Sequence, residues 1–173
     1  EILRCLVGSE MCIRDRFCDM DTSDNFTIIE TYGNKKQYLP LLIMGDESES
    51  MIDRYLDSGS LYVGLLNGKP IAVCVIVNLD SDTVEIKNLA VETEYRRYGY
   101  GRRMLEYVES QHPNKKIILG TGETPSTLRF YKSCGYFYSH RIPNFFTDNY
   151  PTPIIEEGIT LCDMIYLEKK TSP

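Results

Sequence analysis

The sequence predicts one α/β domain built on a mixed β-sheet flanked by helices, and three stretches carry that expectation. Asn67-Gly68 joins two strand-like runs, Leu61–Leu66 and Pro70–Val77, and is the strongest hairpin signal in the chain. Val84–Val108 reads as strand, glycine-rich turn and helix. A second strand–turn–helix unit follows from Lys116 to Gly135. A hairpin makes antiparallel neighbours, whereas a helix between two strands implies a parallel, right-handed crossover.

The elements follow in order. Phe26–Thr31 reads as a first strand and Lys35–Met44 as a helix, with Pro40 in its first turn or at a kink. Ser48–Asp57 predicts a second helix with Met51, Ile52, Tyr55 and Leu56 at helical spacing, Ser48 as its cap and Gly59 as its stop. Pro70–Val77 is apolar throughout, as a central strand would be. Asp80-Ser81-Asp82 turns the chain into Val84–Val91. Met104, Leu105 and Val108 recur at helical spacing in a helix that runs from Gly99 to near His112-Pro113. Lys116–Leu119 reads as a short buried strand, Gly120-Thr121-Gly122 as a tight turn, and Thr124 as the cap of a helix with Pro125 in its first turn. That helix stops at Gly135, and Tyr136–Arg141 and Met164–Glu168 read as the last two strands.

The 173 residues suit one core. The 19 basic and 25 acidic side chains leave a net charge of −6, which does not favour nucleic acid. The longest apolar run, Ile71–Val77, is too short to span a bilayer, and no signal peptide is recognisable. The cysteines at 5, 12, 18, 74, 134 and 162 form no Cys-x-x-Cys pair, so a reduced, cytoplasmic chain is expected. Residues 1–25 sustain neither a strand nor a helix period. Leu6–Arg16 looks like a translated adapter tail, so 1–25 are read as a non-native or disordered extension and 26–170 as the domain.

The chemistry concentrates at Arg96-Arg97-Tyr98-Gly99-Tyr100-Gly101-Arg102-Arg103. Glycines and free amides at a helix N-terminus make an anion site, here with arginines beside it. A dinucleotide fingerprint would need glycine where Met104 stands, and a P-loop would need Gly-Lys-Ser/Thr where Arg102-Arg103 stand. What the residues do match is Arg-x-x-Gly-x-Gly after a strand. Together with Phe130-Tyr131-Lys132-Ser133-Cys134-Gly135-Tyr136, it resembles the GNAT superfamily of acetyl-CoA-dependent N-acyltransferases over about residues 26–169. The resemblance implies a sheet splayed between its fourth and fifth strands and acetyl-CoA as cosubstrate, with no metal. The pantetheine arm would lie on Leu89, Ala90 and Val91, and the pyrophosphate on the turn formed by Arg96, Arg97, Tyr98, Gly99, Tyr100, Gly101 and Arg102. Thr124 stands where many relatives carry asparagine, which puts that cofactor contact in doubt.

Acetyl transfer to an amine requires an amine freed of its proton, a stabilised oxyanion and a protonated leaving thiolate. The resemblance assigns Tyr131 as general acid and Glu85 as base acting through water, with the Leu89 or Ala90 amide receiving the oxyanion and direct attack in a ternary complex. Each has a plainer alternative: Tyr131 as a packing aromatic, and Glu85 as a surface carboxylate paired with Lys87. Cys134, near a helix C-terminus, is read as packing. His112 is read as a helix-end residue and His140 as a candidate for the acceptor pocket; the two share no metal-ligand spacing.

The acceptor side is expected in the long segment Ile142–Cys162, whose Phe145, Phe146, Asp148, Tyr150, Glu156 and Glu157 would suit a cationic amine. A solvated loop covering the core edge is the plainer alternative. The expected partner is a small-molecule amine, with no nucleic acid and no membrane, and a homodimer is allowed. Two other readings stay open: a coenzyme-A-binding regulatory module without turnover, and a protein or peptide N-acetyltransferase.

Overall fold

The computed structural model describes residues 24–172. Its elements are β1 (Phe26–Thr31), a 3-10 turn (Lys35–Tyr38), α1 (Leu39–Gly45), α2 (Glu49–Leu56), β2 (Ser60–Leu66), β3 (Lys69–Asn78), β4 (Thr83–Val91), a second 3-10 turn (Thr93–Tyr95), α3 (Tyr100–Gln111), β5 (Lys116–Gly122), α4 (Pro125–Ser133), β6 (Phe137–Ile142), α5 (Phe145–Asn149), the two-residue strands β7 (Ile155–Glu156) and β8 (Ile159–Thr160), and β9 (Met164–Lys170). Seven strands form one sheet in the order β1-β2-β3-β4-β5-β9-β6. All its pairings are antiparallel except β4–β5, which is parallel. The hairpin at Asn67-Gly68 has φ of 50° and 81° at its two central residues, the conformation that Asn-Gly favours.

Two apolar layers clamp the sheet. On one face α3 and α4 bring Met104, Leu105, Val108 and Tyr131 onto Ile86, Leu89, Ile117 and Leu119. On the other, α1 and α2 bring Leu42, Ile52, Tyr55 and Leu56 onto Val63, Val73, Val75 and Ala90. A third cluster joins Met51 of α2 to Phe145, Phe146, Ile154, Leu161, Met164 and Tyr166, so the segment between β6 and β9 packs against the second face.

Four expectations are corrected. Lys35–Met44 is not one helix: it divides at Leu39-Pro40 into a 3-10 turn and α1, because proline has no N–H to donate and fits only the first turn of a helix. Gly120-Thr121-Gly122 is no turn. It continues β5, and its glycines make room for side chains: a methyl on Gly120 would lie 2.5 Å from Met164 Sδ, and one on Gly122 2.6 Å from Leu161 Cδ1. Ser48 and Thr124 occupy the N-cap positions of α2 and α4, but neither side chain bonds to the helix amides. Gly59 does not close α2 through a left-handed backbone. A methyl there would lie 2.7 Å from the Ile76 carbonyl oxygen and 2.9 Å from that of Tyr55, both backbone atoms. Gly59→Ala is therefore expected to destabilise the domain by about 1–3 kcal/mol, read from urea unfolding.

Of the extension read over 1–25, residues 1–23 lie outside the described residues. Asp24 pairs with Arg103 at 2.7 Å, and Asn25 accepts a bond from the Asn67 amide. No helix among the described residues is long and apolar enough to cross a membrane.

Candidate active site

β4 delivers the chain through the Thr93–Tyr95 turn to Arg96, which is extended, and then to Arg97 at φ 69° and Gly99 at φ 87°. These two left-handed residues swing the chain into α3, whose first amides have no acceptor within the helix. The helical ladder begins with the Arg103 amide bonded to the Gly99 carbonyl at 3.0 Å. Gly99 is required for its φ, since a methyl there would meet nothing within 4 Å. Gly101 is required for closeness: a methyl there would lie 3.3 Å from Phe130 Cζ and 3.7 Å from Val91 Cγ2.

The arginine side chains at this turn hold protein partners, as Arg96, Arg102 and Arg103 show. Arg96 Nε donates to the Val91 carbonyl at 2.9 Å. Arg102 donates to the Ser133 carbonyl and hydroxyl at 3.0 and 2.9 Å, tying α3 to α4. Arg103 lies over the Phe26 ring and holds Asp24. The expected cofactor contacts of Arg96 and Arg102 thus compete with bracing of the fold, and the backbone is the better anion ligand here.

The sheet opens where the sequence places the splay. Register pairs between β4 and β5 run from Thr83–Lys116 to Ile86–Leu119 and stop. Beyond that point β5 pairs with β9, while Leu89, Ala90 and Val91 pair with Cys74, Val73 and Ala72 of β3. The other edge of Leu89–Val91 faces the splay. At the start of α4 the Thr124 hydroxyl is buried and has no hydrogen-bond partner, so a donor or acceptor entering the splay could engage it. Strand-edge amides, a glycine-rich helix start and an unused hydroxyl fit a pyrophosphate joined to a peptide-like arm.

The α1–α2 face of β4 is polar. β4 carries a bulge: Val75 pairs with Asn88 and Ile76 with Ile86, leaving Lys87 as the extra residue. A bulge re-aims side chains, and Glu85, Lys87 and Asn88 are all buried. Glu85 pairs with Lys87 and accepts a bond from the Tyr166 hydroxyl at 3.0 Å. The plainer reading of Glu85 is therefore right about its partner and wrong about the surface, for its exposure is 4%. Asn88 Nδ2 donates to the Leu42 carbonyl and to the Tyr55 hydroxyl. Asp46, fully buried in the α1–α2 turn, accepts from the hydroxyls of Tyr55 and Tyr150 at 3.4 and 3.2 Å. Tyr150 belongs to the β6–β9 segment, so that segment is tied to the α1–α2 turn. It also reaches α4, where Ser126 bonds Glu157.

Tyr131 is fully buried, edge-on to Phe130 and Tyr136 with centroids 5.1 and 5.9 Å apart. Burial pushes the Cys134 thiol above its ordinary pKa, which disfavours a nucleophilic thiolate. His112 caps the end of α3, and burial lowers its pKa. His140 is exposed and stacks on Tyr166 at 4.6 Å, next to the polar face but at its rim. Phe145, Phe146 and Glu156 are buried, whereas Asp148 and Glu157 are exposed.

Asp46, Asn88 and Tyr166 escaped the sequence reading, and Tyr55 entered it only as an apolar position of α2, whereas Tyr150 was named in the expected acceptor segment. One signal was available: Lys87-Asn88 is a polar pair inside an otherwise apolar strand end.

Comparison with known proteins agrees with this geometry. The sequence model of the acetyltransferase (GNAT) domain matches residues 57–137. An uncharacterized N-acetyltransferase of Bacillus subtilis strain 168, YvbK, is 30% identical over 133 residues, covering 73% of this chain and 84% of that protein. The crystal structure of a GNAT family acetyltransferase from Elizabethkingia anophelis with acetyl-CoA bound superposes with a TM-score of 0.80 at 37% identity, covering 84% of this chain and 98% of that one. That of a Bacillus subtilis acetyltransferase in complex with CoA gives 0.76 at 27% identity, covering 84% and 98%. The chain belongs to the GNAT family of acetyltransferases.

Proposed function

We propose that this protein transfers an acetyl group from acetyl-CoA to a primary amine of a small molecule, by direct attack in a ternary complex. The observation that carries the reading is the splay beyond Ile86–Leu119, opening beside the Gly99–Gly101 helix start. Acetyl-CoA supplies the activated acetyl group. The turn amides from Arg97 to Arg102 bind its pyrophosphate, and the open edge of Leu89–Val91 aligns its arm. The Leu89 or Ala90 amide receives the negative charge that develops on the carbonyl oxygen. The amine, freed of one proton by Glu85 through a water, forms the C–N bond as the C–S bond breaks. Tyr131 returns a proton to the departing sulfur, and the nitrogen loses its second proton to solvent.

A small acceptor is supported by the β6–β9 segment, which packs Phe146 with Met51 of α2 and bonds Tyr150 to Asp46, setting chain over the side that a peptide would need open. A cationic one is supported by the Asp46 carboxylate and the aromatic rings of Tyr55 and Tyr150 that meet it at the α1–α2 turn. A reducing, cytoplasmic setting is supported by Cys74 and Cys134, buried cysteines packed into the core beneath α3 and α4. We also take 26–170 as the domain, with Asp24 and Asn25 as its anchored leader.

The test is a thiol-release assay with acetyl-CoA against a broad amine panel. Binding of coenzyme A with no thiol release on any amine would favour the regulatory module and end the enzyme reading. Thr124→Val gives a separate check on the cofactor side. Its hydroxyl makes no protein bond, so folding stability is expected to hold, while acetyl-CoA affinity by calorimetry drops about 3- to 10-fold, the scale of one hydrogen bond.

A further inference from the structure

Asn88 is fully buried at the β4 bulge, and its side chain is half used. Nδ2 donates 2.9 Å to the Leu42 carbonyl and 3.1 Å to the Tyr55 hydroxyl. The orientation of the amide is fixed, because the Leu42 carbonyl only accepts and already takes the Asp46 amide at 3.0 Å. Oδ1 therefore faces away from both partners, and it is buried without any hydrogen bond. A buried carbonyl with no donor costs about 1–3 kcal/mol. It is tolerated readily where a ligand supplies the donor. The next residue along the strand is Leu89, the first of the three on the open edge of the splay. Glu85 and Lys87 precede Asn88 on its own face, while the Leu89 side chain turns to the opposite layer.

We propose that the side-chain oxygen of Asn88 is the docking point of the acceptor amine: it receives one N–H and orients the nitrogen lone pair toward the strand end at Leu89. This rests on the transferase reading above and adds a selection rule to it. A neutral primary amine has two N–H bonds and one lone pair. One N–H goes to Asn88, and the second stays free to leave as a proton after the C–N bond forms. A secondary amine must spend its only N–H on the anchor and bring an extra substituent into a closed face, and a tertiary amine has nothing to donate. The site therefore selects primary amines. Tyr150 and Asp46 stand over the same face.

The test pairs butylamine, tyramine and phenethylamine with N-methylated forms of each, in thiol-release kinetics on wild type and Asn88→Ala. The expected result is a wild-type preference for the primary member, and a 10- to 100-fold fall in kcat/KM for the amine in N88A with acetyl-CoA binding within twofold of wild type. A purely structural Asn88 would alter both substrates together, and that outcome overturns the proposal. If N88A does not fold, the side-chain amide resonance of Asn88 in the wild type is followed by NMR. Adding the primary amine to the coenzyme A complex is expected to shift it, and an unmoved resonance, as for an oxygen that only holds a buried water, overturns the proposal. Wild-type turnover with N88A unchanged sinks this inference alone. Absence of any turnover in the wild type sinks the transferase reading and this inference with it.

Discussion

Tyr131→Phe is expected to lower kcat about 10²- to 10⁴-fold, the range of a lost general acid, while acetyl-CoA affinity and folding stability stay near wild type. The structure makes this substitution unusually clean. The Tyr131 ring is fully buried and packed edge-on between Phe130 and Tyr136, in the same cluster as Leu89. Phenylalanine keeps the ring and every apolar contact, so only the hydroxyl is removed. Tyr131→Ala would be uninformative, because emptying a buried aromatic site costs about 3–5 kcal/mol by itself. Steady-state kinetics with a thiol reagent, beside urea unfolding of the same preparation, separates the two effects. An unchanged kcat in the stable phenylalanine variant would leave Tyr131 as a packing residue.

What could be read from the sequence follows the range of the forces involved. The Asn67-Gly68 hairpin, the β4–turn–α3 unit and the α4 start at Pro125 are local: a few φ preferences and one hydrophobic period decide them. The Gly120–Gly122 stretch misleads because its glycines serve neighbours distant in sequence, Met164 and Leu161, and not a turn of their own. α5, of five residues, and the two-residue strands β7 and β8 are too short to show any period, and the packing of Phe145 and Phe146 of α5 with Met51 comes from the tertiary fold. The turn into α3 was legible because its motif is a contiguous run of backbone-determining residues. The polar face beside it was legible only through Tyr150 of the long Ile142–Cys162 segment: Asp46, Tyr55, Asn88 and Tyr166 come from four other segments, and each is unremarkable until the sheet and helices bring them together.

Glu85, the proposed base, also sits in a buried ion pair, and a two-step substitution separates the proposed role from the structural one. Lys87→Met is expected to destabilise the domain by roughly 3–5 kcal/mol, because it leaves the buried Glu85 carboxylate with the Tyr166 hydroxyl as its bond and no cation beside it. Adding Glu85→Gln removes that uncompensated charge yet keeps an oxygen for Tyr166. Since neutral replacement of a buried ion pair is often close to neutral in stability, the double variant is expected to recover most of the loss in urea unfolding. Activity then discriminates. With Glu85 as the base, the double variant remains about 10²- to 10⁴-fold below wild type in kcat although its fold is restored. With Glu85 serving only to neutralise Lys87, activity returns with stability. Recovery of kcat in the double variant would remove Glu85 from the chemistry and move the proton to another group on the face that Asn88 shares.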